Sequence, residues 1–435
     1  MSLAAVARSL AATQSLVEVA GHVVETSATG IRVAGLSQWL NLGDWVRIET
    51  PGGNELAEVI KLDRKTLIAK PFSARVRAPI DALAFRAPPP RVAPDASWKG
   101  RVLDALGGAI DDIGTLAPGP VERDPNSQPP QALTRGRVAV PLSTGIGAID
   151  LLTPICAGQR IGIFAGSGVG KTTLLSMLME AASFDTVVVS LVGERGREVR
   201  ETIEETLASC RHKSIAVVAT SDESPMMRRQ APVTATSIAE HFCAAGENVL
   251  LVVDSVTRYA HALREVALAA GEPPVARGYP PSVFTALPHL LERSGPGTIG
   301  AGTITGVYSV LVDGDDHNEP IADCIRGTLD GHIVLDRSIA QEGRFPAIDP
   351  LASLSRLAHL AWTRPQAEIV RNLLRLVARF EETKDLRSLS AYKPGIDVEL
   401  DKAVLVVPKL YDLLKQSPGD QPRHAIFDQA AALLT

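Results

Sequence analysis

The sequence lacks long apolar runs and contains few cysteines. The longest apolar stretches, such as TVVVSLV at 186–192 and VLLVV at 249–253, are far shorter than the roughly 20 residues that a membrane-spanning helix needs. The four cysteines show no C-x-x-C spacing, which argues against a disulfide framework or a zinc site. Reduced and mostly buried thiols are therefore expected at Cys156, Cys210, Cys243 and Cys324.

Neither sign of charge is in large excess. The 44 basic and 49 acidic residues give a net charge of -5, so the composition does not mark the whole protein as a nucleic-acid binder. A hydrophobic share of 45% with 21% charged residues is typical of globular proteins, and a length of 435 residues predicts two or three domains. The N-terminus lacks the charged leader and apolar core of a signal peptide, so a soluble cytosolic protein is expected.

The first part of the chain predicts a docking segment followed by a small β-barrel. Apolar residues within 1–19 lie near helical spacing, which fits either a docking helix for a partner or membrane surface, or a frayed helical tail. Within residues 20–92, short apolar runs alternate with turn signals such as GGN at 52–54. This even spacing predicts a barrel or sandwich, which ends at the proline-rich stretch 86–95.

The middle of the chain alternates strand and helix patterns. Apolar, β-branched runs predict strands at 161–165, 186–192, 215–219, 249–253, 302–312 and 331–335. Helical patterns cover 171–182, 196–210, 228–244 and 255–269. The alternation predicts an α/β domain over residues 93–365, with a parallel sheet and helices on both faces. Helical spacing at 366–382 and 399–416 predicts a C-terminal helical domain over residues 366–435.

The segment AGSGVGKTT connects the first of these strands to the first helix. It matches the phosphate-binding pattern G-x-x-x-x-G-K-[ST], except that alanine stands in the first position, where strand turns into loop and a small residue costs little. Its glycines let backbone N–H groups converge on phosphate oxygens, and the helix start adds its dipole. We therefore predict a nucleotide-binding loop, rather than a merely glycine-rich turn, formed by Ala165, Gly166, Ser167, Gly168, Val169, Gly170, Lys171, Thr172 and Thr173.

Two side chains of the loop and one beyond it predict the use of ATP with magnesium. Lys171 would reach the β- and γ-phosphates, and the hydroxyl of Thr172 would ligate Mg²⁺. Asp254 follows five apolar residues at the end of a predicted strand, where burial of a carboxylate is costly without a partner. That position suits a second metal ligand, although Asp254 could instead cap the helix that follows.

Glu194 is the candidate base that orients or deprotonates the attacking water. It follows a buried strand and a glycine, and nucleotide sites lie at the carboxyl ends of strands in such sheets. The next glutamates fall on the following helix and are expected to form a solvated face; they are Glu198, Glu201, Glu204 and Glu205.

Several motifs together resemble the hexameric family that contains the rotary ATPase catalytic and regulatory subunits and the type III export ATPases. They are AGSGVGKT, VGERGREV, VVDSVTRYA, GEPPVARGYPPSVF, GDDHNEPIAD and RFPAIDPLASLSR, and the resemblance covers residues 20–415. The loop alanine and GERGREV resemble the export branch, because rotary catalytic subunits have glycine first and GERTREG. Within that branch the sequence is most similar to the flagellum-specific ATPases, with the injectisome ATPases as close kin.

The resemblance implies an N-terminal β-barrel, a RecA-like P-loop domain, a C-terminal helical domain and a homohexameric ring with nucleotide sites between subunits. It implies that Arg356 reaches the γ-phosphate of a neighbouring subunit, although by itself Arg356 would be an ordinary surface arginine. Phe345 matches a position where related ATPases hold an aromatic against the adenine; it could also be a core aromatic. Arg195 could orient Glu194 or contact phosphate.

An export ATPase would use ATP and Mg²⁺ to release export substrates from their chaperones and deliver them to a membrane-embedded export gate. The resemblance implies that residues 1–17 bind a stator-like regulatory protein and that the C-terminal domain faces the gate. It also implies a cytoplasmic protein with peripheral contact to the inner membrane.

Two other functions use the same core. A rotary ATP synthase subunit is disfavoured by the loop and GERGREV variants, and by the lack of an acidic DELSEED-like run in the C-terminal domain. A ring-shaped RNA translocase would need a basic, aromatic N-terminal domain. Residues 20–90 hold only Trp39, Trp45, Phe72 and Phe85 with mixed charges, so no nucleic-acid partner is expected.

Overall fold

The computed structural model describes residues 18–166, 168–312, 319–389 and 392–434. The helix predicted within residues 1–17 and the loop residue Ser167 lie outside these ranges. In the described part, no helix combines the length and the hydropathy required to span a bilayer.

The N-terminal part is a closed six-stranded antiparallel barrel with strand order β1-β2-β5-β4-β3-β6. Every second side chain points inward along β2 and β5, and the inward residues form one apolar core that includes Val33, Val46 and Leu67. The strands are β1 (Ala20–Thr26), β2 (Ile31–Ala34), β3 (Trp45–Thr50), β4 (Gly53–Leu62), β5 (Thr66–Pro71) and β6 (Leu83–Ala87). The barrel confirms the fold predicted for this region.

The central part is a nine-stranded sheet whose main strands are parallel. Its order is β15-β14-β8-β13-β11-β9-β10-β7, and β12 pairs with β13. All seven residues of β9 are buried, because helices cover both faces of the sheet. The strands are β7 (Val102–Asp104), β8 (Arg160–Ala165), β9 (Thr186–Val192), β10 (Ser214–Ala219), β11 (Asn248–Asp254), β12 (Gly295–Pro296), β13 (Thr303–Leu311), β14 (Gly331–Leu335) and β15 (Leu354–Ser355).

Nine helices of the described chain accompany this sheet. They are α1 (Gly147–Leu152), α2 (Lys171–Glu180), α3 (Gly196–Glu201), α4 (Pro225–Ala244), α5 (Val256–Ala269), α6 (Pro281–Leu291), α7 (Pro320–Thr328), α8 (Arg337–Gln341) and α9 (Ala358–Ala361). The helix predicted at 196–210 is shorter, since α3 passes into a π-helical turn at Thr202–Thr206 and a turn follows. Short 3-10 helices lie at Ala96–Trp98 and Arg211–Lys213.

The C-terminal part is helical, as the sequence predicts. Its helices are α10 (Arg364–Glu382), α11 (Lys384–Ser388), α12 (Val398–Leu414) and α13 (Ile426–Ala432). Their apolar faces form a core that also contains Leu151 and Leu152 of α1. The helical domain is therefore packed directly onto the domain that carries the sheet.

Candidate nucleotide site

The glycine-rich loop leaves the carboxyl end of β8, which lies inside the sheet between β13 and β14. Gly168 and Gly170 adopt φ angles of 77° and 92°, a left-handed region that a residue with a Cβ rarely enters. These two glycines turn the chain sharply from the strand into α2. Ala165 is the last residue of β8 and is buried, which explains why a small non-glycine residue fits the first position of the motif.

Helix α2 begins at Lys171 without a side-chain cap from any described residue. Three of the longer helices are capped by side chains: Ser224 caps α4, Ser255 caps α5 and Thr363 caps α10. The first backbone N–H groups of α2 are therefore available to an anionic ligand, which the helix dipole also favours. Val169 is buried beneath the loop, whereas Thr172 and Thr173 in the first turn are exposed.

Lys171 and Asp254 meet across the sheet. The Nζ atom of Lys171 lies 2.5 Å from Oδ1 of Asp254, and the two side chains are only 13% and 10% exposed. Asp254 ends β11, which is separated from β8 by β13 alone, so this pair spans the crevice above the sheet. Ser255, rather than Asp254, caps the following helix. The alternative role of Asp254 as a helix cap is thus already taken by its neighbour.

Glu194 follows β9, the strand next to β11, and is paired with an arginine that the sequence did not single out. Oε2 of Glu194 lies 2.7 Å from Nη1 of Arg258, which also donates a 2.5 Å hydrogen bond to the Gly193 carbonyl oxygen. Arg258 lies in the first turn of α5, four residues after Asp254, and both groups act on Glu194: the charge of Asp254 raises its pKa and that of Arg258 lowers it. An arginine in the first turn of the helix that follows a strand-ending aspartate is the sequence signal that could have identified it.

The pKa of Glu194 is raised to about 6, mainly by burial. The negative charge of Asp254 and a hydrogen bond with Glu198 contribute to this rise, whereas Arg258 and Lys171 oppose it. Glu198 shows the reverse effect, because its hydrogen bond with Glu194 lowers its own pKa. Glu198 was expected on a solvated face but contacts the candidate base. Glu201 and Glu204 are exposed, at 48% and 55%, as predicted.

The side chain of Arg195 is largely exposed. It is 77% exposed, and its Nη1 lies 3.6 Å from Oε1 of Glu198, the residue that hydrogen-bonds to Glu194. Arg195 directly precedes α3 but provides no side-chain cap for it. It contacts neither Lys171 nor Asp254 in any described hydrogen bond or ion pair.

Phe345 lies over the end of the loop. A Cβ placed on Gly170 would stand 3.6 Å from Cδ1 of the Phe345 ring, so the ring covers the start of α2. The side chain is 43% exposed and therefore is not a core aromatic. Its open face could stack on a planar base.

Arg356 lies at the opposite end of the sheet. Its backbone N–H donates to the Asp330 carbonyl oxygen, and the N–H of Asp330 donates to the Arg160 carbonyl oxygen at the start of β8. Because β8 advances about 3.3 Å per residue, Arg356 is separated from Ala165 by roughly 16 Å along the strand. The residue is exposed, with a 3.4 Å hydrogen bond from Nη2 to the Arg326 carbonyl oxygen. It does not join the cluster formed by Lys171 and Asp254.

Comparison with known proteins shows which families the chain resembles. A model of the ATP synthase alpha/beta family nucleotide-binding domain matches residues 145–355, and a model of the T3SS EscN ATPase C-terminal domain matches residues 362–433. The chain is 54% identical over 414 residues to the flagellum-specific ATP synthase of Rhizobium meliloti, covering 95% of this chain and 89% of that protein.

The chain belongs to the family of type III export ATPases.

Solved structures agree with this membership. The assembled ATPase EscN of the type III secretion system of enteropathogenic E. coli is 38% identical and matches with a TM-score of 0.89, over 95% of this chain and all of that one. EscN in complex with its central stalk EscO matches over the same shares with the same identity and a TM-score of 0.86. This export ATPase is therefore an ATP-hydrolysing P-loop enzyme built from a barrel, a nucleotide-binding domain and a helical domain.

Proposed function

We propose that this chain is the Mg-ATP-hydrolysing subunit of a homohexameric motor that energises flagellar type III protein export. The observation that carries the proposal is the meeting of Lys171, Asp254 and Glu194 above three parallel strands, while Arg356 is exposed at the opposite end of the sheet. The first group forms one part of a hydrolytic site. The exposed Arg356 would complete the corresponding site of a neighbouring chain.

The roles of the residues in hydrolysis follow from their charges. Gly166, Gly168, Gly170 and the uncapped start of α2 would hold the phosphates, and Lys171 would exchange Asp254 for the β- and γ-phosphate oxygens. Glu194, with its pKa near 6, is ionised at neutral pH and can accept a proton from a water molecule. Arg258 holds the carboxylate through Oε2. Arg195 would act on Glu194 through Glu198, its ion-pair partner.

Magnesium fits the donor set at this position. The described residues contain no group of three or more His, Cys, Asp or Glu side chains able to hold a metal, so an all-protein cage is not expected there. Mg²⁺ commonly takes one or two protein oxygens and completes its shell with phosphates and water. The hydroxyl of Thr172 and the carboxylate of Asp254 would supply those oxygens, and the ion would neutralise charge on the γ-phosphate.

The position of Arg356 supports a ring of identical chains. Because its exposed guanidinium is remote from the loop of its own chain, it would stabilise the transition state in a neighbouring copy. Phe345 would stack on the adenine of the copy that carries it. The predicted domains, residues 20–92, 93–365 and 366–435, would act as barrel, motor and partner-facing domains.

The partners are proposed from the relatives. The identity to a flagellum-specific relative exceeds that to EscN, which favours flagellar export over the injectisome as the alternative. EscN assembles and binds a central stalk, and we extend both properties to this chain. A stator-like protein on the N-terminal segment, chaperone-bound substrates and an inner-membrane export gate complete the proposal, with ATP hydrolysis driving release and delivery.

The test is the Mg-ATPase rate per mole of purified chain over a wide range of protein concentration. A steep rise is expected, because identical subunits would complete one another's sites. A rate that stays flat, or is absent at every concentration, would contradict a ring of identical chains. Omitting Mg²⁺ in a parallel series provides the control for contaminating hydrolysis.

A further inference from the structure

The loop that carries Phe345 is held by the C-terminal helical domain. The guanidinium of Arg344 lies 3.9 Å from the centre of the Tyr411 ring on α12. On the other side, Nζ of Lys384 on α11 lies 2.8 Å from Oε1 of Glu342. The two contacts join the residues on either side of one short turn to two different helices of that domain.

Gln416 makes a third and more central contact. Its backbone N–H donates a 2.9 Å hydrogen bond to the carbonyl oxygen of Phe345 itself. Its side chain is buried, with Oε1 accepting from the Gly147 N–H at 3.0 Å and Nε2 donating to the Gly145 carbonyl oxygen at 2.9 Å. Gln416 therefore joins the end of α12, the start of α1 and the turn bearing Phe345.

These hydrogen bonds give Gln416 a structural role at the start of α1. Helix α1 begins after Ile146, which provides no side-chain cap, so Oε1 of Gln416 caps α1 from a position 269 residues away in the chain. Both polar ends of a buried amide are satisfied, which fixes the backbone at residue 416. The carbonyl oxygen of Phe345 is then held by a backbone that cannot easily move.

We infer that Gln416 is a positioning residue for Phe345, through which the C-terminal domain sets the affinity of the enzyme for the base of ATP. The inference rests on the proposed function, since it takes Phe345 to contact the base. A shift of α12 would move the N–H of Gln416 and with it the ring over Gly170. The side chain of Lys171 is held by Asp254, so its contacts with the phosphates would change little.

The experiment measures equilibrium binding of two probes to the full chain at one protein concentration: the β,γ-imido analogue of ATP and inorganic tripolyphosphate. Gln416→Ala should weaken binding of the analogue roughly five- to tenfold and that of tripolyphosphate by less than about twofold. In a Phe345→Ala background, Gln416→Ala should produce almost no further loss, because both changes act through one ring. The exposed Gln421 provides the control variant Gln421→Ala, expected to bind as the parent does.

Equal weakening for the two probes, or full additivity with Phe345→Ala, would overturn the inference and leave Gln416 a structural cap. A Phe345→Ala variant that binds the analogue normally would instead remove the base contact from the proposed function. If Gln416→Ala does not fold, binding of the analogue is measured with the variants Tyr411→Leu and Tyr411→Phe instead. Only the leucine removes the ring beneath Arg344, so only Tyr411→Leu should lose affinity for the analogue. Equal binding by the two variants would refute the control of the base contact by the C-terminal domain.

Discussion

Nη1 of Arg258 lies 2.7 Å from Oε2 of Glu194 and so fixes the carboxylate beside Asp254. The arginine comes from the first turn of α5 and the glutamate from the end of β9, 64 residues earlier in the chain. The charges of Arg258 and Lys171 favour the ionised form of Glu194, while burial, the charge of Asp254 and the hydrogen bond with Glu198 oppose it. The protonation state of Glu194 is the outcome of that balance.

Replacement of Glu194 by glutamine should abolish turnover and retain nucleotide binding. The amide keeps the size of the side chain but cannot accept the proton of water, so kcat should fall by at least about 100-fold. The measurement is steady-state ATPase activity together with binding of the imido analogue. Glu201→Gln, on the exposed side of α3, is the matched control. Near-normal turnover of Glu194→Gln would remove Glu194 from the role of base.

The pH profile of kcat/KM should have an acidic limb near pH 6. Below this pH the raised pKa leaves Glu194 protonated and inactive as a base, so activity rises as pH increases through 6. Glu198→Gln removes a group that raises the pKa of Glu194, and should move the limb to lower pH. Arg258→Gln removes a group that lowers it, and should move the limb to higher pH. Limbs that stay fixed, or shift in the same direction, would disprove this electrostatic balance.

Lys171→Ala should abolish turnover and lower thermal stability. It removes the phosphate contact and leaves the carboxylate of Asp254, only 10% exposed, without its partner, at a cost of roughly 1–3 kcal/mol. Adding Asp254→Asn should recover part of the lost melting temperature, because it removes the buried unpaired charge. It should recover none of the activity, because the phosphate contact of Lys171 is still missing. The measurements are thermal unfolding and ATPase rate. A Lys171→Ala chain as stable as the parent would show that the pair contributes nothing to folding.

Arg356→Ala should eliminate activity and leave nucleotide binding by a single chain unchanged, because Arg356 is remote from its own loop. Mixing Arg356→Ala chains with inactive Lys171→Ala chains should restore part of the ATPase rate. In a mixed ring, some sites would combine the intact loop of one chain with the intact arginine of the next. Arg64→Ala, an exposed arginine of the barrel, is the control that should keep full activity. No recovery on mixing, or weaker binding by the isolated Arg356→Ala chain, would count against a role in trans.

Local patterns predicted most of the fold. All six strands predicted in the central domain occur, each within one residue of the predicted bounds, because buried parallel strands form short continuous apolar runs. The helix Pro281–Leu291 was not predicted, since prolines at 280, 281 and 288 obscure its pattern. Strand Val102–Asp104 was missed because three residues carry too little signal.

The site was predictable where one short segment contains all the residues of a motif, as in the glycine-rich loop before Lys171. The partnerships of Glu194 with Arg258, and of Phe345 with Gln416, were not, because each joins residues far apart in the chain. Glu198 shows the limit of a periodicity argument: its helix is exposed overall, yet its first turn faces the crevice. Arg195, the neighbour of Glu194 in sequence, lies 3.6 Å from Glu198 instead.

The separation of Arg356 from the loop along β8 has a genetic consequence. In a ring of identical chains, each copy would serve two different sites, offering its loop to one and its arginine to the other. A copy that carries both Lys171→Ala and Arg356→Ala but still assembles would silence two sites. Modest expression of such a chain beside the normal one should therefore suppress motility well beyond its share of the total, as a dominant inhibitor.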